Sequence, residues 1–400
     1  MSRRKKIIIT TLVIVLIAAL AVFLYFFFNR APVAPPNGGE FPPPGEDVTP
    51  PEEPPTQIPE DISGPFEPIL RQLSKVPIAG AILGAKDSVA IARYQERATG
   101  NIYEITAAGE DEKRLTNTTI PKVSEALWSK TGSALVSRYV RDGTETIESF
   151  SGLVNVGSGG SEGELAGIFL PRGIADAAIS PAGNTLFYLQ EENGGVNGIQ
   201  SDLSGNGKTS LWTSPVKEWL VSWPSQSAIT VLSKPSALAN GMMLSLDPVS
   251  GKIALLLRGI PGLTALASPS LSQILYSQST ESGLLLRLFS ATGGRQKEIS
   301  FTTLPEKCAW AKSGLRVYCG VPKTIQQGNY PDIWYQGVVS FADELWAITV
   351  PNGTVTEISD ISTKRGSPID VVNGQVSPDE RFLLFTDKVS GTLWSLQMKP

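Results

Sequence analysis

The chain has 400 residues, 34 basic against 38 acidic side chains, no histidine and two cysteines. Without imidazole there is no Ser-His-Asp or Cys-His nucleophile system, no His-held zinc or haem and no histidine pH switch. Two cysteines cannot make a thiolate zinc site, and a net charge of −4 argues against nucleic acid as a partner, since phosphate binding needs a basic surface.

Residues 1–30 open with Arg3, Arg4, Lys5 and Lys6, followed by an uncharged run from Ile7 to Phe28. As a helix that run spans roughly 33 Å, enough to cross a hydrocarbon core of ~30 Å. Ala19-Leu20-Ala21 resembles a signal-peptide cleavage site, but the apolar run continues beyond it for longer than a signal peptide needs. The expectation is an uncleaved transmembrane helix in the cell membrane. Four basic residues before the span and Arg30 alone after it place the N-terminus in the cytoplasm and the rest of the chain outside it. The lipid bilayer is thus the first expected partner, through residues 7–28.

Residues 31–68 hold 13 of the 30 prolines, eight acidic residues and no basic ones. So little apolar surface cannot offset the entropy of ordering, and the proline-rich linker reads as an extended stalk. Removing residues 1–68 leaves 29 basic and 30 acidic side chains, so the acidity belongs largely to the stalk.

Residues 69–400 read as a repeat array. Six segments share an apolar run, a small or aromatic residue and a tight turn, followed by a second apolar run. They centre on Ser129, Ser180, Trp223, Ser268, Ala311 and Ser377, with a degenerate seventh at Gly84. Most steps between them are 43–51 residues, the size of a four-stranded propeller blade. Third strands show clearly in Asn101–Ile105, Gly241–Leu246, Gly283–Leu288, Glu344–Ile348 and Thr392–Leu396. The last unit stops after its third strand. Ile69 to Ser74 supplies the missing outer strand if it pairs with Thr392 to Gln397, which closes the ring and leaves no raw edge. The fold class is all-β, a β-propeller of about seven blades, with six or eight as the neighbouring alternatives.

The turns Ser377-Pro378-Asp379 and Ser180-Pro181-Ala182-Gly183, with Ile102-Tyr103-Glu104-Ile105 leading to Arg114-Leu115-Thr116, resemble the repeat of the TolB-type, WD-repeat-like propeller family. The resemblance covers residues 69–400. It implies a propeller and an extracytoplasmic protein-interaction module, while the Gly-His and Trp-Asp signatures of true WD repeats are absent.

Cys308 and Cys319 are placed symmetrically about Ser313-Gly314, so a hairpin with a two-residue loop sets them face to face. A cross-strand disulfide is the favoured reading, against two free buried thiols or a redox pair. The step from Ala311 to Ser377 is the longest, with an insertion around Gln326 to Ala342. That connection lies on the face that carries the links between blades, and it contains the candidate binding residues Tyr330, Asp332, Trp334 and Tyr335. The plainer reading is that these aromatics plug the loop against its blade. Asp202-Leu203-Ser204-Gly205-Asn206-Gly207 lacks the carboxylates of a calcium loop and reads as a turn.

The sequence therefore points to a membrane-anchored extracytoplasmic propeller that binds an envelope or extracellular protein or polymer, with no catalysis, cofactor or metal. One alternative is a carboxylate-dependent glycan hydrolase in the propeller channel, for which Asp332, Asp343 and Glu344 are the carboxylates nearest to hand. It needs two of them ~5–9.5 Å apart. The other is a structural spacer or cap in an envelope assembly.

Overall fold

Four serines set the local geometry of the repeats. Ser129, Ser180, Ser268 and Ser377 each end an inner strand. Each accepts, through Oγ, the amide of the residue that opens the next strand: Ala134 at 3.1 Å, Thr185 at 3.2 Å, Gln273 at 3.2 Å and Phe382 at 2.9 Å. Three residues after the serine the backbone turns left-handed. Gly132 and Gly183 fill that position, and Leu271 and Glu380 adopt the same conformation without being glycine. The short turn hydrogen-bonds itself, which is why a Ser-x-x-Gly pattern recurs.

In the computed structural model, which describes residues 66–157, 163–281 and 283–399, these turns join inner to second strands within four of seven four-stranded antiparallel sheets. Their inner strands are Ile78–Lys86, Val123–Trp128, Ile174–Ile179, Trp219–Ser225, Thr264–Ala267, Cys308–Trp310 and Val371–Val376, which number blades 1 to 7. The chain is a seven-bladed β-propeller. Blade 7 takes its outer strand from the other end of the sequence: Ile69–Gln72 pairs with Leu393–Gln397, Ile69 opposite Gln397 and Gln72 opposite Trp394. This is the expected closure. Among the described residues, two short α-helices, Asp332–Tyr335 and Ile361–Arg365, and the 3-10 turn Pro305–Lys307 interrupt an otherwise all-β fold. The span expected over residues 7–28, and the stalk up to residue 65, lie outside the described residues. Among the described residues no helix is long and apolar enough to cross a membrane.

The core is distributed. Seven apolar clusters each draw on two adjacent blades, and an eighth lies beneath the insertion of blade 6. Polar bonds between blades accompany them. Trp128 Nε1 donates to Gly80 O at 3.2 Å, Trp310 Nε1 to Leu266 O at 3.2 Å, and Asp176 Oδ2 accepts Val221 N at 2.7 Å. Gln375 spans the closing junction, accepting Leu83 N at 2.9 Å and donating to Ala81 O at 2.7 Å. At Gly80 a Cβ would lie 2.3 Å from Ala126 O, so only glycine lets blades 1 and 2 approach there.

Cys308 and Cys319 are joined by a disulfide, with Cα atoms 4.0 Å apart, in directly opposed positions of the first two strands of blade 6. The loop differs from the expected two residues. Ala311 N donates to Arg316 O, so residues 312–315 form a four-residue loop. Its centre is unchanged, and so the cysteines still meet.

Candidate functional site

The second and third strands of blade 6, Arg316–Pro322 and Asp343–Thr349, are joined by the insertion, residues 323–342. Connections of this kind lie on the face that carries the links between blades. Tyr330-Pro331 is a cis peptide and leads into the helical turn Asp332–Tyr335. Gly337, left-handed, ends that turn, and Val338 N returns to Ile333 O at 2.9 Å.

Aromatic residues build the inside of this loop. Tyr330 and Trp334 stack on Phe341, ring centres 6.0 and 6.5 Å away, and pack with Leu284 of blade 5, Leu304 and Val372 of blade 7. Tyr330 OH donates to Gln326 O at 2.9 Å, and Ser279 of blade 5 donates to Tyr330 O. Asp332 reaches further: its Oδ2 accepts the amide of Ala237, in the corresponding loop of blade 4, at 2.6 Å. The insertion thus touches blades 4, 5 and 7 as well as its own.

Below it lies a charged cluster. Lys307, in the 3-10 turn Pro305–Lys307 that leads into blade 6, contacts Asp370 Oδ1 and lies 2.6 Å from Asp343 Oδ2. All three side chains are fully buried. Trp334 and Phe341 face the ammonium, ring centres 5.5 and 5.1 Å from Nζ. Asp370 Oδ2 accepts Trp334 Nε1 at 2.9 Å and Phe341 N at 3.1 Å, while Asp343 Oδ2 also takes Val371 N at 2.7 Å. Burial pushes the Asp343 carboxyl up to about 6 against the pull of Lys307. Beside the cluster Tyr335 OH donates to Glu306, whose carboxyl is also pushed up by burial.

The four residues named from the sequence are therefore close together but not alike. Tyr330 and Trp334 are 0% and 2% exposed, so they build the loop and do not form its outer surface. Asp332 is partly exposed and holds the blade 4 loop. Tyr335, at 39%, reaches the surface, joined there by Val338 at 70% and, across the Asp332 contact, by Leu238 at 86%. The three carboxylates considered for glycan hydrolysis are led to separate partners: Asp332 to Ala237, Asp343 to Lys307, and Glu344 to Trp346 Nε1 at 3.1 Å. Asp202 Oδ1 accepts Asn206 N at 2.8 Å in the turn between the third and outer strands of blade 3, as expected. Sequence reading missed Glu306, Lys307 and Asp370. Residues 307, 343 and 370 are brought together only by the ring of blades, and no local spacing announces them.

No protein-family model matches the sequence, and no curated protein matches it. Among solved structures, the β-propeller domain of Cps50 (Swd1) from Myceliophteria thermophila is similar. It is 10% identical over 83% of this chain and 100% of that one, with a TM-score of 0.52. An oligogalacturonate lyase from Vibrio parahaemolyticus is 11% identical over 84% and 99%, at 0.49. TolB from Acinetobacter baumannii is 14% identical over 69% of this chain, at 0.44, and this chain spans 64% of TolB's length. At 10% identity the likeness to the Cps50 domain is one of fold alone. That fold is the propeller implied by the repeat turns.

Proposed function

We propose that this protein is a membrane-anchored, extracytoplasmic binding module that captures an envelope protein on the insertion face of its propeller. The observation that carries this reading is the joining of two loops into one rim. Asp332 fastens the blade 6 insertion to the blade 4 loop, and the buried Tyr330, Trp334 and Phe341 hold the insertion from below. Leu238, Tyr335 and Val338 are left exposed on a preformed base. Apolar and aromatic side chains presented without an ordering cost are what a contact hot spot requires. The basic residues 3–6 before an uncharged run of 22 support the anchor, and the Cys308–Cys319 disulfide supports an oxidising location.

The test replaces Leu238 and Val338 by Asp in the full chain and compares in-cell crosslinking of the membrane fraction. Both side chains are exposed, so folding should be untouched. Partner crosslinks should fall about tenfold or more. Undiminished crosslinking to the same protein would remove this rim as the binding surface.

A further inference from the structure

We propose that Lys307 and Asp370 become joined by an intramolecular isopeptide bond, formed by the propeller itself with Asp343 as the acid–base catalyst. The reacting groups already touch: Nζ of Lys307 contacts Oδ1 of Asp370, the oxygen that leaves in the step below. The other oxygen of the same carboxyl, Oδ2, receives two donors, Trp334 Nε1 at 2.9 Å and Phe341 N at 3.1 Å. Addition of an amine to Asp370 Cγ puts negative charge on that oxygen, and two fixed N–H groups in a dry site stabilise it. Asp343 Oδ2, 2.6 Å from Nζ, is placed to take the ammonium's proton. Its raised proton affinity, set by burial, suits a group that must accept a proton and return it.

The step balances. One N–C bond forms between Lys307 Nζ and Asp370 Cγ, and the Cγ–Oδ1 bond breaks. Oδ1 leaves as water carrying two of the three ammonium protons, relayed by Asp343, and the third proton stays on the amide nitrogen. One positive and one negative charge disappear together, and no oxidant or cofactor is needed.

Charge and solvation favour the bonded state. Before reaction the cluster holds one cation and two carboxylates, all with no exposure, and Asp343 Oδ1 is buried without a hydrogen-bond partner. An uncompensated buried charge is costly. After reaction the three buried charges are reduced to one, the carboxylate of Asp343. The rings of Trp334 and Phe341 keep water from the new amide. The bond would tie the turn entering blade 6 to the start of the blade 7 inner strand, directly beneath the insertion. It stands independently of the partner-binding reading, because it concerns only the chain's own interior.

Mass spectrometry of the purified full chain, reduced and in detergent, tests this. The chain should be lighter than its sequence by one water. Trypsin should fail to cut after Lys307, and a branched peptide should link Lys307 to Asp370. In Asp370→Asn the same attack expels ammonia, so that chain should be lighter by one ammonia. Asp343→Ala should have the full sequence mass. A wild-type chain of full mass, cut normally after Lys307, would overturn the proposal. Loss of ammonia in Asp343→Asn would overturn the assignment of roles, since it would make Asp343 the acceptor of the bond.

Discussion

Ser377 does for blade 7 what Ser129, Ser180 and Ser268 do for theirs: its oxygen satisfies an amide that the turn would otherwise bury alone. Phe382 N lies 2.9 Å from Ser377 Oγ, and Ser377 is 1% exposed. Ser377→Ala leaves that donor without an acceptor and should cost about 1–3 kcal/mol, read from urea unfolding midpoints. The serine is legible in the sequence because its job is local, five residues long. Lys307 is not legible, because its partners stand 36 and 63 residues away. Asp176 is a second carboxyl of this non-local kind, half-buried between blades 3 and 4. Burial pushes it up to about 6, while Val221 N–H and Arg138 pull the other way. Its folded value lies above the unfolded one of about 3.9, so the folded state binds the proton more tightly. The stability this confers is complete below pH ~4 and lost as pH rises through 6. In thermal melts the stability of the wild type relative to Asp176→Asn should therefore fall with rising pH. The wild type should lose about 2–3 kcal/mol relative to the variant between pH 4 and 7.

A blade is two kinds of information at once. Its alternating apolar residues and turns can be counted along the chain, which is why the third strands and the closing strand lie within a few residues of their expected places. The inner face of the insertion could not be counted that way. Trp334 carries the composition of a contact residue but is spent on Phe341 and Asp370. The disulfide of blade 6 sits between these cases. Its pairing follows from symmetry about the turn, although the loop has four residues and not two. It also belongs to the apolar cluster between blades 5 and 6. Closing so short a loop constrains the unfolded chain only modestly. Replacing both cysteines by serine should lower stability by about 2–3 kcal/mol, in denaturant titrations of oxidised wild type against the double variant. A loss well beyond that would mean the sulfurs contribute mainly as packing.

The propeller is a ring of neighbours, seven of its apolar clusters each serving two adjacent blades, so its integrity depends on the last junction as much as on any other. That junction is where the first and last strands of the propeller meet. Ile69–Gln72 completes blade 7, Leu73 is 4% exposed in the cluster between blades 7 and 1, and Gln375 bridges the two inner strands. Removing residues up to Ser74 deletes the closing strand and Leu73 together. Loss of those contacts should cost about 2–5 kcal/mol from the full burial of Leu73 and the partial burial of Leu70. It also bares the edge of Leu393–Gln397, a strand with three large apolar residues out of five and no charged one. An unpaired edge of that kind seeks another strand. The shortened propeller should therefore both melt earlier and self-associate, with a sedimentation coefficient that rises with concentration. The same propeller with residues 69–74 restored should sediment as one species. A shortened form that stays monomeric would mean that the blade 7 edge is protected by something other than its own closing strand.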